Sequence, residues 1–152
     1  MHPVLTADEE LTRHAQAFLD RTLPKSEWTH KGHLAAASWL IASWGLARCE
    51  AEMPDLIRRY NDVTGVPNTD TEGYHHTITL ASLRVIDHVR AELPNPHIPA
   101  QAGICTPLTL FHAVMNSSYA EKDWLFRHWR RETLFTPEAR RDWVAPDVSP
   151  LF

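Results

Sequence analysis

The chain has 152 residues, of which 43% are hydrophobic and 22% are charged, and its formal net charge is −4. These values are typical of one globular domain, so we expect a single domain over residues 1–152. The weakly acidic balance argues against nucleic acid as a partner, because binding to phosphates depends on clustered Lys and Arg. No signal peptide or membrane-spanning apolar run is readable, and two cysteines are too few for a disulfide framework, so we expect a cytoplasmic protein.

The first half of the chain carries signals for three helices. Thr6 and Glu9 have the spacing of a capping box, which predicts the start of the first helix. Ser26 is the expected cap of a long second helix. Pro54 is expected in the first turn of a short third helix, where proline is tolerated. The predicted helices cover about 6–22, 26–49 and 54–63.

The second half carries signals for four more helices. Thr106-Pro107 and Thr136-Pro137 each have the pattern of an N-cap followed by a first-turn proline. Proline interrupts the segment 94–105, which we expect to be irregular. The predicted helices cover about 72–93, 106–115, 121–131 and 136–143. No strand-like alternation is visible. The sequence therefore predicts an all-α, single-domain bundle of five to seven helices, in which the second and fourth are long and central.

The ten histidines are the most chemically suggestive feature of the composition. A helical residue advances by about 100° around its axis. By this measure His30 and His33 fall inside the apolar arc of the second helix, one turn apart, so that both can approach one atom. His75 falls inside the apolar arc of the fourth helix, whereas His76 lies on its flank. Three histidines are therefore expected on the facing buried sides of two helices.

Buried imidazoles must find partners or cost free energy, and a metal ion that accepts three of them would supply those partners. We therefore predict a metal site formed by His30, His33 and His75, and such an all-nitrogen set favours Zn, Fe, Cu or Ni. A hydrogen-bond network without metal is the main alternative. A di-iron site is another, because Glu27 and Glu72 each precede a histidine by three residues.

Several strings resemble those of a group of small, uncharacterised bacterial proteins: WTHKGHL at 28–34, YHHTIT at 74–79, and LFTPEAR at 134–140 with WVAPD at 143–147. That group carries T-H-x-x-H-L, Y-H-E-T-I-T and a C-terminal P-D-L-x-P-L. The resemblance implies an all-α fold, and it brings no reaction with it. It also implies a functional core, made up of His30, His33, Tyr74, His75, Thr77 and Thr79. The chain departs from the pattern at His76, where the group usually has glutamate, and at Val148.

The first functional hypothesis is a metal-dependent enzyme that acts on a small molecule, with hydrolase, lyase and oxidoreductase chemistry all open. His76 or Glu72 would act as the general base, and Tyr74 would donate to a developing anion. Asp147 would orient a ligand histidine. Core or turn positions are the alternative roles for Tyr74 and Asp147.

Two further hypotheses need no reaction. A non-catalytic accessory protein that binds a metal, haem or another ligand would use the same histidines. A helical interaction module is the other, because a second apolar face of the second helix carries Trp28, Trp39 and Leu46. That face is either buried within the monomer or covered in a homodimer.

Overall fold

A computed structural model describes residues 7–93 and 106–152, and within these two ranges it contains helices and turns but no strand. The prediction of an all-α bundle is confirmed. Three short 3-10 turns, Lys25–Glu27, Ser118–Ala120 and Trp124–Arg127, join the helices. The α-helices are α1 (Asp8–Leu19), α2 (His30–Trp44), α3 (Leu46–Thr64), α4 (His76–Glu92), α5 (Pro107–Met115), α6 (Arg131–Leu134) and α7 (Pro137–Arg141).

Helix α2 lies at the centre of the bundle, where it contacts α1, α3, α4 and α5. Eight of its fifteen residues are buried, so it is enclosed on more than one side. Most of them are small, and Ala35, Ala36 and Ser38 are completely inaccessible. Small side chains let neighbouring helices approach a helix axis closely from several directions.

Gly32 marks the closest approach to α2. A Cβ at this position would collide with the backbone carbonyl oxygen of Glu27 and would touch the His14 ring. His14 Nε2 lies 2.9 Å from the Gly32 carbonyl oxygen, and it links α1 to the same turn. The absence of a side chain at residue 32 therefore lets α1 and the Lys25–Glu27 turn both pack against the start of α2.

Side-chain caps begin several helices. The Thr29 hydroxyl accepts a hydrogen bond from Gly32 N at 3.1 Å, and Thr106 and Thr136 accept equivalent bonds from residues three positions on. The caps predicted at Thr106 and Thr136 are thus confirmed. The cap predicted at Ser26 is wrong, because Ser26 lies in a 3-10 turn and α2 begins four residues later.

Other helix boundaries also differ from the predictions. Gly45, with φ of 84°, separates α2 from α3, so the second helix ends earlier and the third begins earlier than expected. Pro54 lies inside α3 rather than in its first turn, and because proline has no N–H, one backbone hydrogen bond of the helix is missing there. The helix predicted over 121–131 is replaced by a 3-10 turn and the short α6. Thr6 and the irregular segment 94–105 lie outside the described residues.

A second group of buried side chains attaches the C-terminal part to α4. Trp124, Trp129 and Leu134 pack with Ala81 and Val85, and this cluster is separate from the main core. The second apolar face predicted for the second helix is wrong, because only Trp39 lies in α2, whereas Trp28 precedes it and Leu46 begins α3. All three side chains are partly buried against the main core. None of the helices in the described ranges has the length and apolarity needed to cross a membrane.

We predict that Gly32→Ala lowers the free energy of unfolding by about 2 kcal/mol, because the new Cβ meets a backbone carbonyl that cannot rotate away. Alanine is a better helix former than glycine, so helix propensity alone predicts that the substitution raises the free energy of unfolding. Urea denaturation followed by circular dichroism measures the change. Ala51→Gly, at an exposed site in α3, is the control for the propensity contribution. A Gly32→Ala variant as stable as the wild type would contradict this account.

Candidate functional site

A cavity of about 460 Å³ opens between α2, α3, α4 and the segment 122–125. Its wall is mainly apolar and includes Leu34, Ala37, Met53, Ile57 and Leu83. Its polar members include His30, His33, Tyr74, His75 and Lys122. All three histidines that the sequence singled out as metal ligands therefore line one cavity, although their side chains have different surroundings.

His33 is accessible to solvent in the cavity, and its ring packs on Trp28 with 3.9 Å between centroids. Protein atoms still surround it closely, and this burial lowers the pKa of His33 to about 4, with His30 and His14 adding to the effect. Neither ring nitrogen has a hydrogen-bond partner among residues 7–93 and 106–152. His33 therefore offers a neutral imidazole to whatever enters the cavity.

His30, one turn before His33, is partly engaged. Its Nε2 lies 3.3 Å from the carbonyl oxygen of Tyr119, which is a long hydrogen bond. This contact lays the segment that contains Lys122 beside the start of α2. His30 and His33 thus reach the cavity from the same turn of α2, as predicted from their spacing.

His75 has a structural role in this geometry. It precedes α4 and caps it, since its Nδ1 accepts a hydrogen bond from Ile78 N at 3.2 Å. The proton then resides on Nε2, which donates to the Leu134 carbonyl oxygen at 2.7 Å. Both ring nitrogens are occupied, and burial lowers the pKa of His75 below its usual value. His75 was predicted inside a helix; the structure places it at the N-cap, because α4 begins at His76.

Tyr74 and His76 form a pair at the edge of the site. The Tyr74 hydroxyl and His76 Nδ1 share a hydrogen bond of 2.7 Å. Tyr74 is buried and lines the cavity, and burial raises its pKa to about 12, so it stays protonated. His76 does not line the cavity, and burial lowers its pKa. The predicted donor therefore reaches the cavity, and the predicted base reaches it only through Tyr74.

A tight loop positions these residues. The Asn68 carboxamide oxygen accepts bonds from Tyr74 N and from Asn61 Nδ2. Gly73, with φ of 84°, packs so closely on Pro67 and Asn68 that a Cβ would not fit. The loop thus fixes the backbone on which Tyr74 enters the cavity.

Thr77 and Thr79, which the resemblance assigns to a functional core, have different surroundings. Thr77 is buried, and its hydroxyl joins α4 to the C-terminal segment through Asp142 O and Val144 N. Thr79 lines the cavity, and its hydroxyl donates to the His75 carbonyl oxygen. Thr77 therefore holds the fold together, and Thr79 contributes to the cavity wall.

The predicted carboxylates lie elsewhere. Glu72 is exposed in the loop before α4 and is not part of the cavity wall. Glu27 lies in the 3-10 turn before α2, also outside the wall. Asp147 is exposed, and its two oxygens accept bonds from Arg130 N and the Thr133 hydroxyl rather than from a histidine. In this geometry it joins the C-terminal tail to α6.

Over the described parts of the chain, no three His, Cys, Asp or Glu side chains are arranged to hold a metal ion. The bonds of His75 give the physical reason, because it would have to release the α4 cap or the Leu134 carbonyl to become a ligand. The three-histidine set therefore does not fit a metal in this geometry. The metal site remains a prediction.

Several residues of the site were not anticipated. Lys122 and Trp124 line the cavity from a segment expected to be a plain helix, and the sequence carries no signal for their role. His14 is buried beside the start of α2. Its spacing from Leu11 and Phe18 places it on the apolar face of α1, so helical periodicity could have found it.

Comparison with protein-family models, with curated proteins and with solved structures found no match to this chain.

We predict that His75→Ala lowers the free energy of unfolding by about 2 to 3 kcal/mol, because α4 loses its cap and the Leu134 carbonyl loses its donor. His33→Ala should cost less than about 1 kcal/mol, because that ring makes no hydrogen bond to lose. His75→Asn, which keeps a capping oxygen, should recover about 1 kcal/mol. Thermal and urea denaturation would measure all three, and equal losses at the two histidines would refute the division of roles.

Proposed function

We propose that this chain binds a small, mainly apolar organic molecule in the cavity, and that His33 hydrogen-bonds its polar group. The observation that carries the proposal is an accessible imidazole that lies inside an apolar cavity and has no hydrogen-bond partner among the described residues. Ligand sites have this composition, with a mostly apolar wall and a few polar groups that fix orientation.

The size of the cavity supports a small ligand. About 460 Å³ lies within the range of sites that enclose small organic molecules. Trp28 and Trp124 supply large aromatic surfaces to the wall, and Met53 and Ile57 supply aliphatic ones. The apolar part of a ligand would therefore displace water from apolar surface, and the release of that water favours binding.

The protonation state of His33 sets what it can do for a ligand. With a pKa of about 4 the ring is neutral at neutral pH, so one nitrogen donates a hydrogen bond and the other accepts one. The accepting nitrogen could also receive a proton from a bound molecule. Binding is the function that the site supports best, and proton transfer from a bound substrate is the chemistry open to it.

The test is titration with 1-naphthamide, a neutral molecule that fits the cavity, followed by tryptophan fluorescence and isothermal titration calorimetry. We expect saturable binding. Ala37→Phe fills the cavity and should weaken binding at least tenfold, and His33→Ala should weaken it by about fivefold, the value of one hydrogen bond.

Ala51→Phe is the matched control, because residue 51 is exposed on α3 and outside the cavity wall. It should leave the affinity unchanged. Equal affinity of the Ala37→Phe variant would overturn the proposal, and so would a folded wild type that binds none of 1-naphthamide, 1-naphthoate, octanamide and octanoate.

The metal site predicted from the sequence is the second candidate. It is favoured by the placement of His30 and His33 one turn apart on one cavity wall. Within the part of the chain that the structure describes, His33 has no hydrogen-bond partner and His30 has one long bond. Ligands beyond these two would have to come from a bound molecule or from a rearrangement of His75.

Elemental analysis tests this candidate, with protein purified without a metal-affinity tag. The metal hypothesis predicts near-stoichiometric Zn, Fe, Cu or Ni in the wild type and its loss in His33→Ala. His112→Ala is the control, because His112 is exposed and lies outside the cavity wall. A folded wild type without metal would contradict the hypothesis.

A further inference from the structure

We infer that the natural ligand is a small apolar carboxylic acid, bound as its anion with the carboxylate near His33 and Lys122. The inference rests on the proposed function, since it names the class of molecule that the cavity would take. It is carried by the charges of the cavity wall, which are distributed unevenly.

The described residues of the wall bring no negative charge that would repel an anion. Of its described residues five are titratable, namely His30, His33, Tyr74, His75 and Lys122, and none is Asp or Glu. The chain as a whole has 19 acidic residues against 15 Lys and Arg. The cavity therefore differs in charge from the rest of this acidic chain, and Lys122 is its one ordinarily charged member in the described ranges.

Lys122 has no ion-pair partner among the described residues, although acidic Glu121 and Asp123 flank it in sequence. Glu121 instead pairs with Arg127. Lys122, which lines the cavity, thus has no acidic partner in the described ranges that would compete with a ligand of the opposite charge.

Lys122 and two of the histidines come from neighbouring segments. The contact of His30 with the Tyr119 carbonyl places the segment 119–122 beside the first turn of α2, which also carries His33. The wall also contains aliphatic side chains from α3 and α4, namely Met53, Ile57 and Leu83. A ligand with one polar end and one apolar body matches this combination of side chains.

The N-terminal ends of two helices add to the positive electrostatic potential at the cavity. The first turns of α2 and α4 both contribute cavity residues, His30 and His33 from one and Ile78 and Thr79 from the other. A helix N-terminus carries a partial positive charge, which favours a nearby anion.

The modest amount of positive charge indicates a monoanion. One lysine can compensate the charge of a single carboxylate, whereas a dianion such as a phosphate monoester would leave charge unpaired in a mainly apolar space. The carboxylate is therefore the anion that the wall fits best.

The experiment compares two matched pairs at pH 7.5: 1-naphthoate with 1-naphthamide, and octanoate with octanamide. Each pair has the same apolar body and differs in the charge of the polar end. We expect at least one acid to bind about tenfold more tightly than its amide in isothermal titration calorimetry. Lys122→Met keeps the aliphatic stem, and it should remove most of that preference by weakening the binding of the acid.

Lys31→Met is the matched control. It removes the same charge from an exposed residue outside the cavity wall, and it should leave the preference intact. Amides that bind as tightly as their acids would overturn the inference and leave the proposed function standing. Failure of all four probes to bind folded protein would overturn both. An equal loss of preference in the two lysine variants would also overturn the inference, because the effect would then be one of overall charge.

Discussion

The arrangement of the site depends on the close approach of the Glu27 carbonyl to Gly32 in the first turn of α2. The Lys25–Glu27 turn folds back on α2 because residue 32 has no Cβ. Trp28 follows that turn directly and packs on the His33 ring, and both line the cavity. The Gly32 carbonyl also receives His14 from α1. One residue without a side chain thus fixes the relation between α1, the turn and the histidines of α2.

The histidines have different roles according to whether their ring nitrogens form hydrogen bonds with backbone groups. His14 and His75 each hold a carbonyl of another segment, and His75 also caps α4, so these two rings support the fold. His33 is held by packing against Trp28, which leaves its nitrogens to the cavity. A polar ring that is positioned by packing, and whose hydrogen bonds are unused, is available to a ligand at little cost to the structure. Position on a buried face therefore does not by itself distinguish a functional histidine from a structural one.

The sequence was sufficient for the helical class, for the caps at Thr106 and Thr136, and for the placement of His30 and His33 on one face, because these follow from short-range spacing. It was insufficient for His75. Helical periodicity holds only for residues inside a helix, whereas His75 precedes α4, which begins one residue later. Lys122 and Trp124 could not be predicted, since they reach the cavity through a segment whose position depends on a long-range contact, that of His30 with Tyr119. Local patterns specify helices and their faces, and the closure of a cavity depends on contacts between distant segments.

The cavity and the close packing of α2 have a common origin in the sequence GHLAAAS at 32–38. Ala35 and Ala36 are fully buried and let neighbouring helices approach, while Ala37 presents an equally small side chain to the cavity. Unfilled apolar space costs stability, because the atoms around it lose contacts. A larger residue at position 37 would recover those contacts and close the space around His33. Under the proposed function, the small side chain there exchanges stability for access to the His33 ring, which is the compromise expected where selection acts on binding.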